Sequence, residues 1–193
     1  MDDGFVSLIT RVHSDMKPII IPLWAKADDI FSSELLTLGF EKKFNQSAMF
    51  LDVSQRDYLP ESDLDFEKIT TSEQVDIWCD IASRSFGYDI YNPVIYKLIG
   101  KTGVELLLVS REGQAVGTAL LYDDGWVLGV HMFTVEPHFR RQGVAGKMMQ
   151  KIIHDTKVKR IKYITLQASE LGKPLYEYWG FKTQFEIVNY IWT

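Results

Sequence analysis

A single cysteine in 193 residues leaves no internal disulfide possible. This argues against the stapled secreted scaffolds and fits a reducing compartment. Long apolar runs are also missing. Ile19-Ile20-Ile21 stops at Pro22, far short of the twenty or so residues that span a bilayer. The first residues, Met1-Asp2-Asp3-Gly4, are acidic and lack the basic start of a signal peptide. A net charge of −5 leaves no overall basic excess of the kind that nucleic-acid binding uses. These absences point to a cytoplasmic protein with neither membrane nor nucleic acid as its main partner. What remains is ordinary for a soluble globular chain, 46% hydrophobic and 24% charged.

The charge is unevenly spread. Residues 1–100 carry 9 Lys+Arg against 17 Asp+Glu, whereas residues 101–193 carry 12 against 9. Within 138–162 there are 8 basic residues and one acid, Asp155. Such a cluster is commonly a solvated helix face, but it also attracts small polyanions. Inside it lies Arg140-Arg141-Gln142-Gly143-Val144-Ala145-Gly146-Lys147, between a strand-like run (127–135) and a helix-like run (148–158). Two glycines let a ligand approach the backbone, the first helical amides point outward, and arginines add forked donors. The stretch reads as a phosphate site.

The chain divides into residues 1–62 and 63–193. In the first part, 19–21 is β-like, 28–38 has helical spacing stopped by Gly39, and 44–53 suits a strand. Residues 58–65 read as a linker. In the second part, 66–69 suits a strand and Thr71-Ser72-Glu73-Gln74 suits a capping box. The helix that follows puts Val75, Trp78, Cys79 and Ala82 on one stripe, which makes Cys79 a buried small hydrophobe. A short helix opens at Pro93. Three strands then meander over 104–110, 115–122 and 126–135 through acid–glycine turns, which account for Asp123 and Asp124. Gly129 suggests a bulge in the third. After the helix from Gly143, a strand over 161–167 runs parallel to the third one. A short helix (170–179), Gly180 and a last strand (181–192) close the chain. Leu38-Gly39-Phe40 and Phe44 align with Trp179-Gly180-Phe181 and Phe185, each preceded by a strand and a helix. On this basis, residues 1–55 read as a degenerate half-copy of the C-terminal unit.

A nucleoside-triphosphate loop requires G-x-x-x-x-G-K-[ST]. Here Arg141 replaces the first glycine and Met148 the hydroxyl residue. The dinucleotide fingerprint fails as well, since Gly143 is followed by Ala145 and Met148. The stretch does satisfy [QR]-x-x-G-x-[GA], through Arg140, Gly143 and Ala145. Downstream, Leu175-Tyr176-Glu177-Tyr178-Trp179-Gly180-Phe181 forms an L-Y-x-x-x-G-F run. These two motifs, in this order, resemble the GNAT superfamily of acyl-CoA-dependent N-acyltransferases over about residues 64–193.

The resemblance implies an α+β fold, a central, mostly antiparallel sheet flanked by helices. Here a strand–helix–strand half-repeat precedes it. The resemblance also implies acetyl-CoA as co-substrate, no metal, and direct attack on the thioester by an amine of a small-molecule or peptide acceptor. In that reading the amides from Arg141 through Gln142, Gly143, Val144 and Ala145 to Gly146 hold the pyrophosphate, flanked by Arg140 and Lys147. The backbone of Phe133, Thr134 and Val135 pairs with the pantetheine arm. Ser169 stands where many members carry an asparagine that touches the arm. Tyr176 takes the place of the general acid, the alternative being simple packing of its helix. Tyr178, two residues on, is assigned to packing. His131, on the strand leading to the loop, is the candidate base, with Glu136 acting through a water as the other. Phe86, Tyr88, Tyr91 and Asp89 suit an acceptor wall. The family often ends in one more strand than this chain has room for, so the 44–53 strand is expected to cover the open end of the sheet. Oligomeric state stays open between monomer and homodimer. A non-catalytic acyl-CoA sensor is the alternative function.

Overall fold

A computed structural model describes residues 19–24, 30–55 and 62–192; the expectations for 1–18, for the start of the 28–38 helix and for the first half of the 58–65 linker lie outside them. Elements are numbered among these residues. They are β1 (Ile19–Trp24), α1 (Ile30–Thr37), β2 (Glu41–Asp52), β3 (Asp65–Lys68), α2 (Ser72–Phe86), α3 (Asn92–Tyr96), β4 (Val104–Arg111), β5 (Gln114–Asp123), β6 (Val127–Val135), α4 (Val144–Val158), β7 (Tyr163–Ser169), α5 (Lys173–Tyr178) and β8 (Lys182–Trp192). All eight strands form one sheet in the order β1-β8-β2-β7-β6-β5-β4-β3. Only the β6–β7 pair is parallel, as the helical crossover between them requires. This is the mixed, mostly antiparallel α+β fold expected.

Local chemistry sets the element ends. Thr71 and Gln74 form the reciprocal capping box, with Gln74 N–H donating to the Thr71 hydroxyl at 3.4 Å and Thr71 N–H to the Gln74 amide oxygen at 3.1 Å. The β4–β5 hairpin turns on Glu112 and Gly113, both at positive φ (52° and 77°), as a tight two-residue turn demands. The α5 helix starts at Lys173, later than the spacing suggested, because Gly172 N–H bonds back to Ser169 and holds 169–172 as a turn.

The sheet has two apolar faces. One packs Leu107, Ala119, Leu128, Val130, Ile164 and Leu166 against Met149, Ile152 and Ile153 of α4. The other packs Leu106 and Leu108 against Val75, Trp78, Cys79 and Ala82 of α2. Trp78 is fully buried, and its indole N–H donates to Leu107 O at 3.0 Å. Trp78→Ala removes a large core side chain and strands that carbonyl. Its expected cost is about 3–5 kcal/mol of stability, read by denaturant unfolding.

The strand expected to cover the open end of the sheet lies inside it. β2 sits between β7 and β8, and β1 takes the position beyond β8. The arrangement has an internal two-fold relation. The β1–β8 rungs Ile19↔Trp192 through Trp24↔Ile187 correspond to the β7–β2 rungs Ile164↔Leu51 through Ser169↔Gln46. The β2–β8 ladder maps onto itself: Lys42↔Tyr190 matches Met49↔Thr183, and the irregularities at Lys43 and Gln184 correspond. The helix ends match too. Phe40 N–H donates to Leu35 O and Phe181 N–H to Tyr176 O, each at 3.0 Å, after Gly39 (φ 88°) and Gly180 (φ 87°). In this correspondence Leu35 stands for Tyr176, Pro22 for Gln167 and Trp24 for Ser169. Residues 19–52 and the C-terminal unit thus share strand, helix and strand, and one continuous sheet runs through both.

Candidate active site

The site begins where β6 and β7 part. They pair in parallel from Val127↔Tyr163 to Val130↔Leu166, and no rung follows. The cause lies on the other side of β6. Between the pairs Leu120↔His131 and Thr118↔Thr134, β5 contributes one residue and β6 two. That is a bulge, and Met132 within it has φ 47°. Bulges bend a strand and increase its twist. The carbonyl of Met132 is satisfied by the Thr118 hydroxyl, fully buried, at 3.1 Å. The expectation of a bulge at Gly129 is therefore corrected: the bulge falls three residues later. Gly129 answers a different need. A Cβ there would lie 2.7 Å from His131 Nε2, so the imidazole folds back over the glycine.

Beyond the fork, Glu136 starts a short 3-10 turn, Pro137–Phe139, and accepts from His138 N–H at 2.8 Å. Its carboxylate is buried and faces Arg84 at 3.9 Å. This is a scaffold role. Arg140 is also used by the scaffold. Its Nε donates to Val135 O at 3.2 Å and its Nη2 to Ser85 O at 2.8 Å, tying the loop to β6 and to α2. The Val135 carbonyl, also met by the Ser85 hydroxyl at 3.3 Å, is thereby taken. Gln142 bonds His138 O at 2.9 Å. Lys147 pairs with Asp63 at 2.6 Å, and Arg111 pairs with the same carboxylate at 3.2 Å. The Lys147 hydrogen bond lowers the Asp63 pKa, helped by a bond from the residue's own backbone N–H and by the charges of Arg111 and Lys147, against a smaller opposing cost of burial.

The loop itself alternates in hand. Arg141 has φ 61° and Gly143 has φ 79°. Gly143 caps α4 without any side-chain bond to the first turn. The amides of Val144, Ala145 and Gly146 therefore face outward, where the positive end of α4 favours an anion. Arg141 is exposed beside them. The basic cluster seen in the sequence is split by the fold. Lys151 pairs with Asp155 in α4 at 2.5 Å, and Lys159 faces Glu105 at 3.7 Å, both away from the loop.

Tyr176 lies on the α4 side of the sheet, buried between Phe133 at 6.2 Å and Phe181 at 5.7 Å between ring centroids. Burial pushes its phenol up to about 12. Gly172 makes room for this ring: a Cβ there would stand 3.3 Å from it and from the Ser169 hydroxyl. That hydroxyl, at the exposed end of β7, accepts from Gly172 N–H at 3.2 Å. His131 sits on the opposite face. Its partner Leu120 packs with the α2 cluster. Burial lowers the His131 pKa, against a smaller opposing hydrogen bond to Gln167. Tyr178 is exposed and meets Trp179 edge-on at 5.4 Å. The fold thus brings Phe133, Tyr176, His131 and the outward amides of α4 around one fork. Arg140, Gln142 and Lys147 each make a bond that ties the loop to its surroundings. Sequence reading missed Gln167, Asp63, Arg111 and Ser85, all of which reach the site through non-local pairing.

Phe86 at the end of α2 and Tyr88 and Tyr91 on the loop after it are exposed, with the Phe86 and Tyr88 rings 5.8 Å apart. This loop leaves α2 next to Val135, at the mouth of the fork. No helix among the described residues is long and apolar enough to cross a membrane, and no group of three or more potential metal ligands occurs among them.

Among curated proteins, none matches the chain significantly. Solved structures do match. A GCN5-related N-acetyltransferase from Kribbella flavida has a TM-score of 0.69 at 14% identity, over 96% of this chain and 72% of that one. A GCN5-related N-acetyltransferase from Sphaerobacter thermophilus has a TM-score of 0.71 at 15% identity, over 98% of this chain and 65% of that one. A predicted acetyltransferase with acetyl-CoA from Clostridium acetobutylicum has a TM-score of 0.52 at 18% identity, over 63% of this chain and 91% of that one. At these identities the likeness speaks to the fold. The sequence itself matches the acetyltransferase (GNAT) domain family over residues 67–189. The chain belongs to the GNAT acetyltransferase family.

Proposed function

We propose that this chain transfers the acetyl group of acetyl-CoA to a primary amine by direct attack. The observation that carries this reading is the fork between β6 and β7, with Tyr176 on one face, His131 on the other and the uncapped start of α4 at its mouth. The α4 amides and Arg141 take the pyrophosphate, and the unpaired edge of β6 from His131 to Thr134 takes the pantetheine arm as a strand. The thioester then lies in the gap.

The amine nitrogen attacks the thioester carbonyl, a C–N bond forms, and the C–S bond breaks to release CoA thiol. Binding both reactants in line supplies much of the acceleration. His131, kept neutral by burial, accepts the amine proton. Tyr176 faces the sulfur. A phenol raised to about 12 holds its proton against a thiolate of ordinary pKa near ~8.5, so full transfer is uphill. Its O–H acts as a hydrogen-bond donor while charge develops on sulfur, and the proton given up by the amine ends on the thiolate. The acceptor, a small-molecule or peptide amine, enters beside the Phe86–Tyr91 loop. In the internal copy Leu35 replaces Tyr176, so only one of the two units carries this chemistry.

Thiol release from acetyl-CoA with a panel of polyamines, aminoglycosides, amino acids and peptide N-termini tests the proposal. Binding without turnover for every amine would favour the sensor reading instead. With a turned-over amine in hand, the acid limb of kcat/KM should follow His131. Its pKa is lowered, so activity persists through the usual histidine range near ~6.5 and falls only at lower pH. The His131→Ala variant should lose that limb along with most of its rate.

A further inference from the structure

We propose that Gln167 and Gly129 are positioning residues that hold the His131 imidazole across the mouth of the fork; this rests on the reading of His131 as the base. Val130↔Leu166 is the last rung between the two strands. His131 and Gln167 are therefore the first residues past it, one on each side of the opening. Leu166 and Ala168 pack on the α4 side, so alternation turns Gln167 to the α2 side, where His131 also lies. That places the Gln167 amide beside the His131 imidazole across the gap, where hydrogen bonding to it partly offsets the lowering of the His131 pKa by burial.

Gly129 supplies the other constraint. Its φ lies outside the left-handed region, so no turn requires glycine there. What requires it is the ring: a Cβ would stand 2.7 Å from Nε2. The imidazole is thus held from below by a missing side chain and from across the fork by an amide. The Gln167 amide oxygen can accept from one ring nitrogen and leave the lone pair of the other for the incoming proton. The neighbours on this face are neutral. Leu120 and Thr118 stand on β5 and Thr165 on β7, while α2 turns Cys79 inward with its thiol pushed up to about 11 by burial. Glu136 and Arg84 face one another beyond the fork. The internal copy provides an independent comparison. Its counterpart of Gln167 is Pro22, which has no side-chain donor or acceptor, and its counterpart of Tyr176 is Leu35.

The experiment is a proton NMR titration of His131 in the full chain, which has four histidines, with the resonance assigned through His131→Asn. The bond to Gln167 favours the charged ring, so Gln167→Leu should lower the His131 pKa. Gln167→Glu places a carboxylate there and should raise it by about one unit. Gly129→Ala should move the ring resonance and cut thiol release at least tenfold, with acetyl-CoA affinity by calorimetry within about twofold of the parent. An unchanged His131 titration in both Gln167 variants, with an unchanged resonance in Gly129→Ala, overturns the proposal. If the titration moves as expected and the acid limb of thiol release does not follow it, the clasp stands and the base reading of His131 falls.

Discussion

Gly143→Asp is expected to abolish measurable acetyl-CoA binding while leaving the protein folded. A Cβ at this position would meet no protein atom within 4 Å, so the scaffold leaves room for a side chain to start there. The φ of 79° is a left-handed value that aspartate tolerates better than most residues. A carboxylate at the start of α4 is also favourable to the helix. The ligand is what suffers. In the proposed function, the space kept open by glycine is the space through which the pyrophosphate would reach the amides of Val144, Ala145 and Gly146. A carboxylate about 5 Å from a phosphate charge, at an effective dielectric of about 20, costs about 3 kcal/mol, a loss of more than 10²-fold before steric exclusion is added. Calorimetric titration with acetyl-CoA checks this, alongside thermal unfolding to confirm the fold. Gly143→Ala separates the two effects, since it adds strain and bulk without charge and should bind weakly rather than not at all. Normal binding by the aspartate variant would mean that the loop is not the phosphate site.

Tyr176→Phe is expected to behave in the opposite way. The ring stays packed between Phe133 and Phe181, and only the hydroxyl is lost. Stability and acetyl-CoA affinity should therefore remain near those of the parent. Turnover should fall by about 10²-fold, the usual effect of removing one hydrogen-bond donor aimed at developing charge. Thiol release under saturating acetyl-CoA reads the kcat effect, and denaturant unfolding reads the stability. Equal turnover in the two proteins would reduce Tyr176 to a packing residue and move the donor role elsewhere in the fork. A fall in affinity without a fall in kcat would place the hydroxyl against the bound cofactor and not against its leaving sulfur.

The sequence by itself determined whatever depends on short-range chemistry. The capping box at Thr71, the turns at Glu112-Gly113 and at Gly125, and the paired helix stops at Gly39 and Gly180 are all made by hydrogen bonds a few residues long. The two motifs that carry the family, the Arg140–Ala145 loop and the Leu175–Phe181 run, are legible for the same reason. The likeness of Leu38-Gly39-Phe40 to Trp179-Gly180-Phe181 is legible in the same way, although it could not say where the strands go.

Only the tertiary structure decided the rest, because strand neighbours and registers are non-local. Alternation tells which face a residue takes, not which strand lies beside it. Thus β2 enters between β7 and β8 when the chain order suggested the end of the sheet. The same limit hid part of the candidate site. Arg140 and Lys147 sit in a phosphate-like stretch, and their bonds to Ser85, Val135 and Asp63 also tie that stretch to the scaffold. Gly129 signalled a bulge that the β5 register puts at Met132, and that bulge is what parts β6 from β7. Gln167 carried no signal at all. Its meaning arises from one fact of register: the last rung closes at Leu166, leaving the next side chain on each strand to meet across the opening.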